Sequence, residues 1–70
     1  MKTIELLKII ARKITELRKE KNLTQAELAP LINTAQQNIS RIEAGNCNVS
    51  IDNLNKIAKA LDRELKIDFD

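Results

Sequence analysis

Seventy residues, 43% hydrophobic and 31% charged, describe one small folded domain near the lower size limit for a core held without disulfides or metal. Phe69 is the only aromatic residue, Cys47 the only cysteine, and histidine is absent. Base-stacking platforms, internal disulfides, zinc cages and His-assisted nucleophiles are therefore excluded as ordinary arrangements, and no enzyme is expected. The net charge of +2 is unevenly spread. Residues 1–41 carry eight Lys/Arg against four Asp/Glu, and residues 42–70 carry four against six. A basic half suits a phosphate-facing surface, although solvated helix faces also produce such asymmetry.

From the N-terminus, Ile4, Leu7, Ala11, Ile14 and Leu17 recur at spacings of three and four, with Ile10 widening the stripe. The pattern predicts a long amphipathic helix over about 3–21. Asn22 stops it, since Asn tolerates the left-handed conformation just past a helix end. Thr24 is placed as the N-cap of a second helix, over 25–32. Glu27 completes a capping box, and Leu23 and Leu28 form a hydrophobic staple. Leu28, Ala29 and Ile32 supply its buried face. Pro30, at its sixth position, removes a backbone hydrogen bond, at a cost of ~3 kcal/mol or a kink.

Asn33 is the expected left-handed residue of a tight turn, and a third helix runs over 35–44, with Ile39 and Ile42 inward and Gly45 as its stop. Its other face is polar: Gln36, Gln37, Asn38, Ser40 and Arg41. Surface helices usually carry Lys and Glu there. Amides donate and accept at once, the pairing that adenine offers in the major groove, so this face is suited to reading base edges. Residues 46–50 form a loop. Ser50 caps a fourth helix over 51–61, with the stripe Ile51, Leu54, Ile57, Ala58 and Leu61, and Asp62 breaks it.

Beyond Arg63 the period changes to two: Leu65, Ile67 and Phe69 alternate with Glu64, Lys66, Asp68 and Asp70, a strand signal. A single strand leaves its own backbone unpaired, so the expected partner is the same strand of a second copy. The alternative is a tail packed irregularly on its own domain. The domain division is thus 1–63 for the helices and 64–70 for a dimerisation strand. The fold class is all-α, four helices with a short C-terminal β-strand that pairs in a dimer. No apolar run approaches the roughly 20 residues of a membrane span, and the first residues mix Lys and Glu with apolar side chains, unlike a signal peptide. A cytoplasmic protein with no cofactor, metal or membrane partner is expected.

Leu23–Gly45, with LTQ at 23–25, ELA at 27–29, QQ-x-I-S-R-I-E at 36–43 and Gly45, closely resembles the helix-turn-helix of the phage repressor (Cro/C1, or XRE) family. The fourth helix extends the similarity over roughly residues 10–61. The resemblance implies a homodimeric transcription regulator whose third helix enters the major groove of double-stranded DNA. It implies that Gln25 binds a phosphate and braces the first recognition-helix residue, that Gln36 and Gln37 contact bases, and that Asn38 and Arg41 contact bases or phosphates. It also implies an Arg18–Glu43 ion pair between the first and third helices, where Arg18 would otherwise read as an ordinary exposed charge. Ala35 departs from the family's Ser or Thr cap, so capping is expected to shift to Thr34. The loop lacks basic residues, which leaves phosphate contacts to backbone amides, Asn46 and Asn48. The ending RELKIDF at 63–69 resembles small antitoxins of the same family, which implies a possible toxin protein as partner.

Overall fold

Among the described residues four helices follow one another: α1 Thr3–Glu20, α2 Gln25–Leu31, α3 Gln36–Ala44 and α4 Ile51–Ala60. They belong to a computed structural model that describes residues 2–45 and 47–68. Three helices stop one residue short of the sequence expectation. The last expected residue, Lys21, Ile32 or Leu61, is in each case the C-cap, with ψ near zero rather than helical. The third starts one residue late, because Ala35 is extended at its N-cap.

The three C-caps close in one way. Asn22, Asn33 and Asp62 have φ of 57°, 56° and 57°, the left-handed region. The N–H groups of Leu23, Thr34 and Arg63 reach back to the carbonyls of Arg18, Ala29 and Ala58, at 3.1, 3.0 and 2.7 Å. This is the Schellman arrangement, in which two otherwise orphaned carbonyls find donors and the chain turns sharply. Gly45 is left-handed for a further reason. A Cβ there would lie 3.2 Å from both Cα and Cγ of Lys8, so its lack of a side chain also lets α3 end close against α1.

Among the described residues the core is aliphatic: Ala11, Ile14, Leu28, Ala29, Ile32, Ile39, Ile57 and Leu61 are buried, with Ile10, Leu17, Leu23, Ile42, Leu54 and Ala60 packed around them. Two expected stripe residues are instead exposed, Ile4 at 52% and Ile51 at 59%. Each sits in the first turn of its helix, away from the buried cluster. The capping box of α2 forms as its residues require: Thr24 Oγ1 accepts from the Glu27 N–H at 3.0 Å, and Glu27 accepts from the Thr24 N–H at 2.9 Å.

Pro30 sits inside α2 without ending it at once. The carbonyl that loses its donor belongs to Ala26, an exposed residue, so water can replace the missing bond. The helix closes one residue later, at Leu31.

The tail does not form the expected strand. Among the described residues there is none, and 63–68 have no regular structure. A strand requires a partner for its N–H and C=O groups, and none of the described residues of the single chain pairs its backbone with residues 64–68. Lys21 pairs with Asp62, and Arg63 with Glu20 at 3.3 Å, which brings the root of the tail beside the end of α1. From there Leu65 is half-buried and Ile67 is 54% exposed, both lining an apolar groove with Leu6, Ile10, Ile51 and Leu54. Phe69 lies outside the described residues.

Because Asn33 is left-handed, Asn33→Ala is expected to cost about 1 kcal/mol, whereas Asn33→Gly should cost nothing. Urea unfolding checks this: the Ala variant lowers the midpoint at unchanged slope, and equal midpoints for both variants would contradict the assigned turn.

Candidate nucleic-acid interface

Nine residues of α3 divide cleanly. Ile39 is 1% exposed and Ile42 half-buried, while Gln36, Gln37, Ser40 and Arg41 are exposed. At about 100° per residue, Gln37, Ser40 and Arg41 occupy the centre of the outward face, Gln36 one edge and Asn38 the other.

The rotation of this face is set from behind by Glu43. Its Oε2 accepts from Arg18 Nε at 2.7 Å, and its Oε1 from Arg18 Nη2 at 2.9 Å and from Gln25 Nε2 at 3.2 Å. The Thr15 hydroxyl lies 3.0 Å from the same Oε1 and 2.9 Å from the Ala11 carbonyl, so its single proton is shared between them. The remaining guanidinium arm of Arg18 donates to the Leu23 carbonyl at 2.7 Å. One carboxylate therefore joins α1, α2 and α3. The side chains are 11% and 6% exposed, and no buried polar side-chain atom among the described residues lacks a partner.

Burial alone would push the Glu43 carboxyl up. The hydrogen bonds from Arg18, Gln25 and Thr15 and the Arg18 charge outweigh it, and its pKa falls below the usual carboxylate value. The hydrogen bond to Glu43 raises the Arg18 pKa in turn. Both groups are charged at neutral pH.

Gln25 differs from its implied role. Its amide nitrogen donates to Glu43 and not to Gln36, so it braces the recognition helix through the ion pair, leaving one N–H for a phosphate. Nor does capping shift to Thr34. Ala35 is the N-cap without a side-chain bond, and the Thr34 hydroxyl instead accepts from Asn38 Nδ2 at 2.7 Å. Thr34, Asn38 and Arg41 line a small cleft of mixed polarity with Cys47 and Asn48. The structure thus gathers four of the expected contact residues on the loop side of α3. Gln25 lies at the Glu43 end, and Asn46 falls outside the described residues. Thr15 was not anticipated. Its signal was available, since it lies one turn before Arg18, but a threonine in a helix has too many ordinary explanations.

Among the described residues no cluster of His, Cys, Asp or Glu could hold a metal ion, and no helix is long and apolar enough to cross a membrane.

Two short helices joined by a tight turn, the second exposing amides and clamped from behind to a longer first helix, form the helix-turn-helix architecture of DNA-binding domains. The family model of the Cro/C1-type (XRE) helix-turn-helix matches residues 14–67, and the chain belongs to that family. It is a DNA-binding transcription regulator. Comparison with curated proteins gives no match.

Glu43→Ala leaves Arg18 buried without its counter-charge and is expected to cost about 3–5 kcal/mol. A loss below 1 kcal/mol in chemical denaturation would reduce the pair to a surface contact. The depressed Glu43 pKa fixes the sign of the pH effect. Its stabilisation is complete above the unfolded Glu value of about 4.3 and is lost as pH falls through the lower folded value. Thermal melts at stepped pH should show a shallower acid decline in Glu43→Gln than in the parent, and parallel declines would disprove the linkage.

Proposed function

We propose that the protein is a dimeric, sequence-specific repressor that reads a palindromic operator through the major groove, acting in the cytoplasm by binding and without catalysis. The observation that carries this reading is the outward face of α3, with Gln36, Gln37, Ser40 and Arg41 exposed together and the helix held against rotation by Glu43.

Each Gln can meet adenine with a donor and an acceptor, which gives about 1–3 kcal/mol of discrimination per good contact. Arg41 and Ser40 stand beside them for a base or phosphate oxygen. Gln25, Thr34, Asn46 and Asn48 serve the phosphates on either side. One such domain makes few contacts, so selectivity calls for two copies with recognition helices about 34–36 Å apart. The apolar groove supports that pairing. Leu6, Ile51 and Ile67 are 49–59% exposed there, and a second copy bringing Leu65, Ile67 and Phe69 would cover them.

The same groove favours a second reading, in which it holds a toxin protein and the chain is the antitoxin that regulates its own operon. Purified protein shifting a palindromic duplex without any added partner separates the first reading from one in which binding needs that partner.

Selection of sites from random duplexes tests the central proposal. A two-fold symmetric consensus with half-sites one helical turn apart is expected, and enrichment of no sequence would reject it. On the selected site, Gln37→Ala should lose roughly 10-fold or more in affinity while non-specific binding is kept. Equal loss on all duplexes would move Gln37 to the phosphates. In sedimentation, Ile67→Asp should shift the protein from dimer to monomer, and an unchanged dimer would remove the tail from the interface.

A further inference from the structure

Α3 begins without a side-chain cap. Ala35 offers no acceptor to the first turn, a position where Ser, Thr, Asp or Asn would bind an orphan N–H. The first turn is nevertheless tied down, one residue earlier and by a different bond. Asn38 Nδ2 donates to Thr34 Oγ1 at 2.7 Å. Thr34 is itself anchored, because its backbone N–H closes the end of α2 on the Ala29 carbonyl at 3.0 Å. The chain Ala29–Thr34–Asn38 therefore runs from the end of α2, across the turn, into the second half of the first turn of the recognition helix.

We infer that Asn38 is a positioning residue of the recognition helix, acting through Thr34, and that it does not read a base. This rests on the DNA-reading function proposed above. Two features of the bond support it. Asn38 stands at the edge of the outward face, on the side of the loop, and one N–H of its amide is held by a contact within the protein, which turns the side chain towards Thr34. Thr34 accepts that bond on its hydroxyl oxygen, so its own proton is directed elsewhere, and the hydroxyl becomes a donor suited to a phosphate oxygen, which only accepts. Asn38 thereby sets both the entry angle of α3 and the polarity of the hydroxyl beside it. Gln37, one residue earlier at the centre of the face, is under no such constraint.

The test is a double-mutant cycle in the full chain, with Asn38→Ala, Thr34→Val and the double variant titrated against the selected operator. A panel carrying each single base-pair change is included. Titrations are run at a temperature where circular dichroism shows all four proteins fully folded, so that a merely structural contribution does not register. Each single variant is expected to weaken operator binding by roughly 2- to 10-fold, the effect of one net hydrogen bond. The double should be no weaker than the weaker single, since both changes break one unit. Thr34→Ser should restore parent affinity, and the base-preference profile of Asn38→Ala should match the parent at every position. A preference altered at one base pair in Asn38→Ala would make it a base reader and overturn the inference. So would losses that multiply in the double variant, or unchanged affinity in Asn38→Ala. If the parent selects no sequence, the DNA-reading proposal itself fails, an outcome distinct from a selective parent whose Asn38→Ala variant behaves otherwise.

Discussion

The buried carboxylate of Glu43 is the point on which the geometry of this small domain turns. Charge taken from water is costly, and a buried pair becomes tolerable only when its geometry is good and its remaining hydrogen-bonding groups are satisfied. Both conditions hold: two bonds come from Arg18, one from Gln25 and one shared proton from Thr15, and the free arm of Arg18 goes to a backbone carbonyl. A nine-residue helix is not stable in isolation, and α3 rests on the core through little more than Ile39 and Ile42. Apolar packing is non-directional and resists rotation of a short helix weakly. The ion pair supplies direction. With Glu43 held on one side, Gln37, Ser40 and Arg41 must face the other way.

The links between helices answer a related constraint. The α1–α2 link, the α2–α3 turn and the root of the tail have few residues in which to reverse the chain while satisfying helix-end carbonyls. All three use one left-handed residue and two backbone N–H groups that donate back to helix carbonyls. Asparagine and aspartate fill these places where glycine is the commoner choice, and they accept some strain in return for a less flexible unfolded chain. Glycine is kept for Gly45, where the close approach of Lys8 would crowd a Cβ. Pro30 fits the same logic, being set in the last turn of α2, where the bond it removes faces solvent.

A second surface of the molecule is less complete. Leu6, Ile51 and Ile67 leave apolar surface open around a groove that the tail only partly fills. A core of eight buried aliphatic residues leaves such a domain a small stability margin, and open apolar surface of this kind is where soluble proteins usually meet a partner. The recognition face and the groove lie on different elements, α3 for one and α1, α4 and the tail for the other, so both can be occupied at once.

The local content of the chain was legible in its residues. Helical periodicity located the four helices to within a residue, Thr24 with Glu27 marked the start of α2, and Asn33 and Gly45 marked turns, because these features depend on neighbours three or four positions away. The amide face of α3 was legible for the same reason. What lies between elements was not. That Gln25 would turn to Glu43, that Thr15 would join them, and that Asn38 would bind Thr34 were decided by how the helices pack, since an amide or hydroxyl accepts any partner placed within about 3 Å. Ile4 and Ile51 continued their stripes in sequence but stayed half-exposed, outside the buried cluster. The tail shows the limit most clearly. Its alternation describes a chain able to pair as a strand, but alternation provides no partner, and among the described residues of the single chain nothing pairs with the backbone of 64–68. Period is a property of one segment; pairing is a property of two.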